Sequence, residues 1–311
     1  MGDMDLDALA LDGVFSARHA ASMGIGGTAL RQLVKAGACH PLHRGWYAVR
    51  RPRDPQDHHR HRTGALLQEY AGQVVASHGS AVIRLGLPTE AVDFGTVHLM
   101  WLDPKRPFQA FSRTRIHEMV DDAQLPPGKE TVHPALAAVQ VGQSDPRALI
   151  VAADAGLRAR LFEESHLAAA CRALRGQRGM SRVRATVGLC DPRHESPGES
   201  LTAYVLASLG YEFEPQFAPG TVGPRGGLVR CDFRIKGMRV VLEFDGKDKY
   251  AAATPEESQA LLYAEKRRED DIRARGYGFV RVTWVDLHRP AAIRAKIETA
   301  NALNEQRNRA G

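Results

Sequence analysis

The chain has 311 residues, of which 43% are apolar and 25% charged, with a formal net charge of +6. That length is too great for one ordinary domain and implies two or three. No apolar run reaches about 18 residues, which excludes a membrane-spanning helix. The acidic start, MGDMDLDALALDG, lacks the basic region and apolar core of a signal peptide. Cys39, Cys171, Cys190 and Cys231 are scattered without a C-x-x-C spacing, so they read as reduced thiols of a cytoplasmic protein.

The charge is uneven along the chain. Between Ser16 and Arg62 nine Lys and Arg face only Asp54 and Asp57, and six histidines lie in the same window. Ser16 opens a short helix to Met23, and Gly24-Ile-Gly-Gly27 is a turn. Thr28 caps a second helix, Ala29–Ala36, with Leu30, Leu33 and Val34 on one face and Arg31, Gln32 and Lys35 on the other. Cys39–Val49 reads as two short strands about Arg44-Gly45. Helix, turn, helix and hairpin is the winged helix-turn-helix plan, whose second helix offers its polar face to the DNA major groove. Arg44, Arg50, Arg51 and Arg53 are then placed for phosphate contacts. Such modules also serve purely as protein-binding units. Arg50–His61 reads as a Pro- and charge-rich linker, and its His58-His59-x-His61 cluster as a solvated basic segment, because no Cys or acid stands at a helical offset to complete a metal site.

The spacing of Ala20, Gly24, Leu30, Leu33, Val34, Gly37, Leu42, Gly45 and Tyr47 resembles the N-terminal domain of AbiEi-type antitoxins of type IV toxin–antitoxin systems. Val74–Gly86, with Ser77-His-Gly-Ser-Ala81, is similar to the S-H-x-S-A helix of the same proteins. Ser77 and His78 have no acid beside them and no G-x-S-x-G elbow, so capping and packing account for them. The middle region reads as strands at Val97–Leu102 and Arg115–Met119. Helices follow at Thr131–Val141, Pro146–Arg158 and Glu164–Leu174, then a basic stretch at Arg175–Arg184.

The last third carries the chemistry. Pro197-Gly198 opens a helix up to Gly210, and Phe213–Phe217 is a strand. Leu228–Ile235 and Met238–Phe244 form a hairpin about Lys236-Gly237, a two-residue turn that would pair residue i with 473−i. Asp232 then lies diagonal to Glu243 on one face, with Asp245 continuing it, while Val240, Leu242 and Phe244 take the other. Crowded carboxylates raise one another's pKa unless a cation sits among them, and a hard divalent metal suits oxygen ligands. A charged hairpin face is otherwise simply the solvated side of a half-exposed sheet. Thr254–Arg275 is a polar helix, Tyr277–Trp284 a strand and Arg289–Asn304 a closing helix.

From His194 to Leu287 this order resembles the Vsr-like branch of the PD-(D/E)xK nuclease superfamily. The resemblance rests on Glu199, Asp232, Glu243-Phe-Asp245, Glu265-Lys-Arg-Arg-Glu-Asp-Asp271 and Val280-Arg-Val-Thr-Trp284. It implies Mg²⁺, or Mn²⁺ in its place, held by Asp232, Glu243, Asp245 and Glu199. The superfamily's motif Lys is replaced by Asp245, so the catalytic cation falls to Lys249, or to Lys247 or Lys266. Arg267, Arg268 and Arg273 are placed to grip the DNA backbone.

The expected fold is thus a multidomain α+β and α/β chain. A winged helix-turn-helix occupies 1–55, a mixed α/β AbiEi-like region 56–188, and a PD-(D/E)xK restriction-endonuclease-like core 189–311. Two functions follow from the resemblances. One is a Mg²⁺-dependent DNA endonuclease in defence or repair. The other is a DNA-binding regulator or antitoxin with an inactive nuclease-like domain, whose partner would be a nucleotidyltransferase-like toxin. RNA as substrate, and homodimerisation, stay open.

Overall fold

The computed structural model describes residues 6–220, 229–246 and 255–310. The chain separates into two units, Met1–Ala152 with Arg160–Ala185, and Ala153–Ala159 with Thr186–Gly311. Both mix helices with sheets, three sheets in all among the described residues. No described helix is long and apolar enough to cross a membrane.

The first unit begins with β1 (Val14–Ser16), α1 (Ala17–Ser22), α2 (Gly27–Lys35), β2 (His40–His43) and β3 (Trp46–Ala48). The helix pair and the hairpin lie where the sequence places them, except that α2 starts earlier than expected: Gly26 is its N-cap and Thr28 lies within its first turn. β1 is an addition: it pairs antiparallel with β3 and completes a three-stranded sheet, β1-β3-β2. Ser16 caps α1 through its Oγ, which accepts from the His19 amide at 3.0 Å. Gly24, at φ +86°, turns the chain between the helices. Phe15, Ala20, Ile25, Leu30 and Cys39 form the core beneath them, with Leu33 and Val34 packed at its edge. The apolar stripe of α2 therefore faces inward, leaving Arg31, Gln32 and Lys35 exposed.

The expected linker is mostly helix. Asp54 accepts from the Asp57 amide at 2.8 Å and Pro55 takes the first helical position, so α3 (Pro55–Glu69) starts inside the charged segment. The solvated reading of the histidine cluster fails with it. His59 is fully buried, its Nδ1–H donating to the Phe94 carbonyl at 3.0 Å and its Nε2 meeting Ser80 Oγ at 2.8 Å. After α3 come β4 (Val74–Ala76), α4 (His78–Arg84), β5 (Val97–Trp101), β6 (Gln109–Phe111) and β7 (Thr114–His117). Their sheet runs β4-β5-β7-β6, with β5 and β7 parallel. Four helices follow, α5 (Pro134–Gly142), α6 (Pro146–Arg158), α7 (Glu164–Ala173) and α8 (Met180–Thr186).

The second unit contains α9 (Pro197–Ser208), β8 (Phe213–Phe217), β9 (Cys231–Ile235), β10 (Val240–Asp245), α10 (Pro255–Ala274), β11 (Gly278–Thr283), α11 (Trp284–Leu287) and α12 (Pro290–Ala310). The sheet order is β11-β10-β9-β8, with β10 parallel to β11 and antiparallel to β9. The hairpin register differs from the expected one. Val240 pairs with Ile235 and Leu242 with Phe233, so partners sum to 475. The turn is four residues, 236–239, with Gly237 at φ +76° within it. Because the slip is two residues, no side chain changes face.

Candidate functional site

β10 is the inner strand around which the second unit's polar groups gather. Val240 to Phe244 are all buried, including Glu243 at 8% exposure. The Glu243 side of the strand is therefore not a solvated sheet face. Ile272 of α10 covers it, packing with Val241, Cys231 and Phe279. On α9, a Cβ at Gly198 would stand 2.0 Å from Phe244 Cε1, so only glycine lets the helix start sit this close to β10.

Each predicted acid has a defined place. The pairing of β9 and β10 stops at Leu242–Phe233, and Asp232 Oδ2 accepts from the Phe244 amide at 2.7 Å. Asp232 and Glu243 thus flank one peptide of the inner strand. Glu243 is ion-paired with Arg268 of α10. Asp245 faces Arg281 of β11 at 3.8 Å, and Arg281 also meets Glu265 at 3.4 Å and Glu269 at 3.6 Å. Burial alone would lower the Arg281 pKa, but Glu265, Glu269, Asp245 and Glu243 together leave it raised. Cys231 shows the same field from the other side. Burial first, then the Glu243 charge, push its thiol up to about 12.

Glu199 does something different. Ser196 Oγ accepts from the Glu199 amide at 3.2 Å, and Glu199 Oε2 accepts from the Glu195 amide at 2.9 Å. Ser196 is thus the N-cap, the Glu199 carboxylate reaches back past it to the preceding amide, and Gln216 Nε2 donates to the same carboxylate oxygen at 3.2 Å. The S-P-G-E run fixes the start of α9 through this carboxylate. Lys247 and Lys249 lie outside the described residues. Lys266 and Arg267 are exposed on α10. Arg273, Arg281, Lys296 and Arg307, with Glu269 paired to Arg273, line an open groove of about 590 Å³ between α10, β11 and α12.

The donor set suits a hard dication in type, being oxygen only, and guanidinium groups already sit against Glu243 and Asp245. The four carboxylates do not, however, gather as one ligand set. Among the described residues, only one trio of His, Cys, Asp or Glu brings ligand atoms within 4.8 Å of one another: His78, His98 and His117 of the first unit.

That trio escaped the sequence reading. His78 opens α4, while His98 and His117 lie on β5 and β7, and the three share no local spacing. The parallel register sets Met100 opposite His117 and His98 opposite Arg115, so His98, Arg115 and His117 share one sheet face. The signal available in sequence was a histidine after each of three short β-rich runs or within them.

In the first unit, the exposed face of α2 carries Arg31, Gln32 and Lys35, and Arg31 donates to Thr28 Oγ1 at 3.2 Å. Arg44 stands exposed at the β2–β3 turn. Arg50 and Arg51 are exposed beyond β3, with Arg50 3.8 Å from Asp7. No protein-family model, curated protein or solved structure matches the chain.

Proposed function

We propose that the second unit is a PD-(D/E)xK-type phosphodiester hydrolase acting on DNA, and that a winged helix-turn-helix in the first unit brings it to its target. One observation supports this reading above the others. Asp232 and Glu243, eleven positions apart in sequence, flank one peptide of a buried inner strand, under a helix that brings Arg268 to Glu243. A stretch chosen for solubility would not bury a glutamate there, because an ionised carboxylate out of water needs compensation.

In this reading Asp232 and Glu243, with the Phe244 carbonyl, would hold Mg²⁺, and Asp245 borders them. A cation held there would acidify a water and offset charge on the scissile phosphate. Arg268 and Arg281 offset the charge of Glu243 and Asp245. Lys249, Lys247 or Lys266 orients the attacking water. Glu199 holds the start of α9, and with it the wall of the site. Arg273, Lys296 and Arg307 give the nucleic-acid backbone a basic track. Arg31, Gln32, Lys35 and Arg44 face the target duplex.

A second reading has its own support. Arg268 on Glu243 and Arg281 on Asp245 give both acids a resident cation, which favours a DNA-binding regulator with an idle nuclease-like unit. The two are separated by incubating the full chain with supercoiled, duplex, single-stranded and mismatched DNA, with Mg²⁺, Mn²⁺ or chelator. Metal-dependent cutting that Glu243→Gln abolishes supports the hydrolase. A metal-independent gel shift without cutting supports the regulator.

A further inference from the structure

The three histidines of the first unit form a second constellation, unrelated to the carboxylates. His98 Nδ1 lies 2.9 Å from His117 Nε2, and their rings are 12° from parallel. The His78 ring stacks on both, at 4.1 Å from His117 and 4.9 Å from His98 between centroids. One ring nitrogen from each lies within 4.8 Å of the other two. Tetrahedral zinc, with Zn–N near 2.0–2.1 Å, sets its ligand nitrogens about 3.3 Å apart. The rings must turn out of their present stack for the three nitrogens to aim at one ion.

The surrounding structure fixes the segments that carry these rings. His78 has φ +48°, an uncommon conformation for a residue with a Cβ. Its amide donates to the buried Gln140 Oε1 at 3.0 Å, which keeps it there. Ser77 Oγ meets His78 Nδ1 at 3.1 Å, leaving Nε2 as the other ring nitrogen. The Ser77 amide donates to the His98 carbonyl at 3.0 Å, and Ser80 Oγ accepts from the His98 amide at 2.8 Å. His59 closes the network. A carbonyl only accepts, so His59 Nδ1 carries the proton bonded to Phe94, and Nε2 accepts from the Ser80 hydroxyl. This second layer of polar contacts resembles what orients histidine ligands in metal sites generally.

We propose that His78, His98 and His117 bind a borderline divalent transition-metal ion, Zn²⁺ foremost, with water in the fourth position, and so clasp α4, β5 and β7. Imidazole nitrogen suits zinc and its neighbours and not Mg²⁺. A histidine binds a metal through the lone pair of a neutral ring. The facing nitrogens of His98 and His117 now share one proton. Metal binding needs both as lone pairs, so the donor ring moves its proton to its other nitrogen and no net proton is released. No fourth His, Cys, Asp or Glu joins the group among the described residues. Arg115, on the same face, favours a hydroxide or another anion at that open position.

The test uses the full chain, stripped with chelator, refilled with ZnCl₂ or CoCl₂, and desalted. Wild type and Asp232→Asn should each retain one equivalent of zinc by mass spectrometry. His98→Gln and His117→Gln should bind at least about tenfold more weakly. Free Zn²⁺ at about 100 times the Kd should raise the melting temperature of wild type by about 5–10 °C. Cobalt should give the intense visible bands of a four-coordinate site, and His117→Cys should keep the metal and add a thiolate charge-transfer band. Full zinc in both His→Gln variants, weak octahedral cobalt bands, or no zinc in folded wild type would each overturn the proposal. Should the His→Gln variants not fold, the wild-type cobalt spectrum and His117→Cys still decide it.

Discussion

Replacing Gly198 by alanine tests how closely α9 and β10 must approach to build the second unit's site. The added methyl would meet Phe244 Cε1 at 2.0 Å and Cζ at 2.3 Å. Carbon atoms rest about 3.5–4.0 Å apart, so the ring or the helix must give way by roughly 1.5 Å. The ring has little room, because Phe244 is buried and Trp284 stands edge-on with its centroid 5.1 Å away. Overpacking of this kind costs about 1–3 kcal/mol. Alanine recovers about 0.5–1 kcal/mol over glycine in a helix. The steric term wins, and the net loss is about 1–2 kcal/mol. Urea unfolding of wild type and Gly198→Ala reads it directly. Gly27→Ala, at the start of α2 with nothing within 4 Å, is the control and should lose no stability. In a Phe244→Leu background the Gly198→Ala cost should shrink by at least half. An unchanged or higher urea midpoint for Gly198→Ala would refute the close-approach argument.

Other outcomes follow from the same structure. Ser80→Ala leaves the His98 amide and His59 Nε2 without their shared partner and should cost about 2–4 kcal/mol in denaturant; a loss under about 0.5 kcal/mol would contradict the network. Cys231 has its folded pKa raised from 9.0 to about 12. Its contribution is fully present below pH 9.0 and is lost as pH rises toward 12, at up to about 1.4 kcal/mol per pH unit. Stability measured from pH 8 to 11 should fall less steeply in Cys231→Ala, and parallel curves would sink the idea. Arg31→Ala and Lys35→Ala should each weaken duplex binding and reduce the salt slope by about one if they touch phosphate. Equal slopes for variant and wild type would remove α2 from the interface.

The elements with a strong local signature were legible. Pro197-Gly198 marked the start of α9, and the alternating apolar run of β8 gave its bounds. The hairpin was legible as a pair of strands but not in register. Gly237 suggested a two-residue turn, whereas the chain spends four residues on it, and turn length is what sets the pairing. α3 was hidden because charge and proline look like a linker, while Asp54-Pro55 is also a helix start. The two sites differ in the same way. Asp232, Glu243 and Asp245 lie within one hairpin, so alternation alone groups them. The arginines that hold them come from α10 and β11. The histidine trio draws on three separate segments and depends on the β5–β7 register, which no local pattern specifies.

The most direct measurement is the conversion of supercoiled plasmid by wild type and by Asp232→Asn, each with Mg²⁺ and with chelator. Asparagine can still accept the Phe244 amide hydrogen bond, so this variant removes the charge while keeping the strand contact. The account predicts nicked or linear product from wild type with Mg²⁺ alone, and at least about a hundredfold less from Asp232→Asn. Equal cutting by both proteins, or none by wild type under conditions where it shifts the same DNA in a gel, would contradict it.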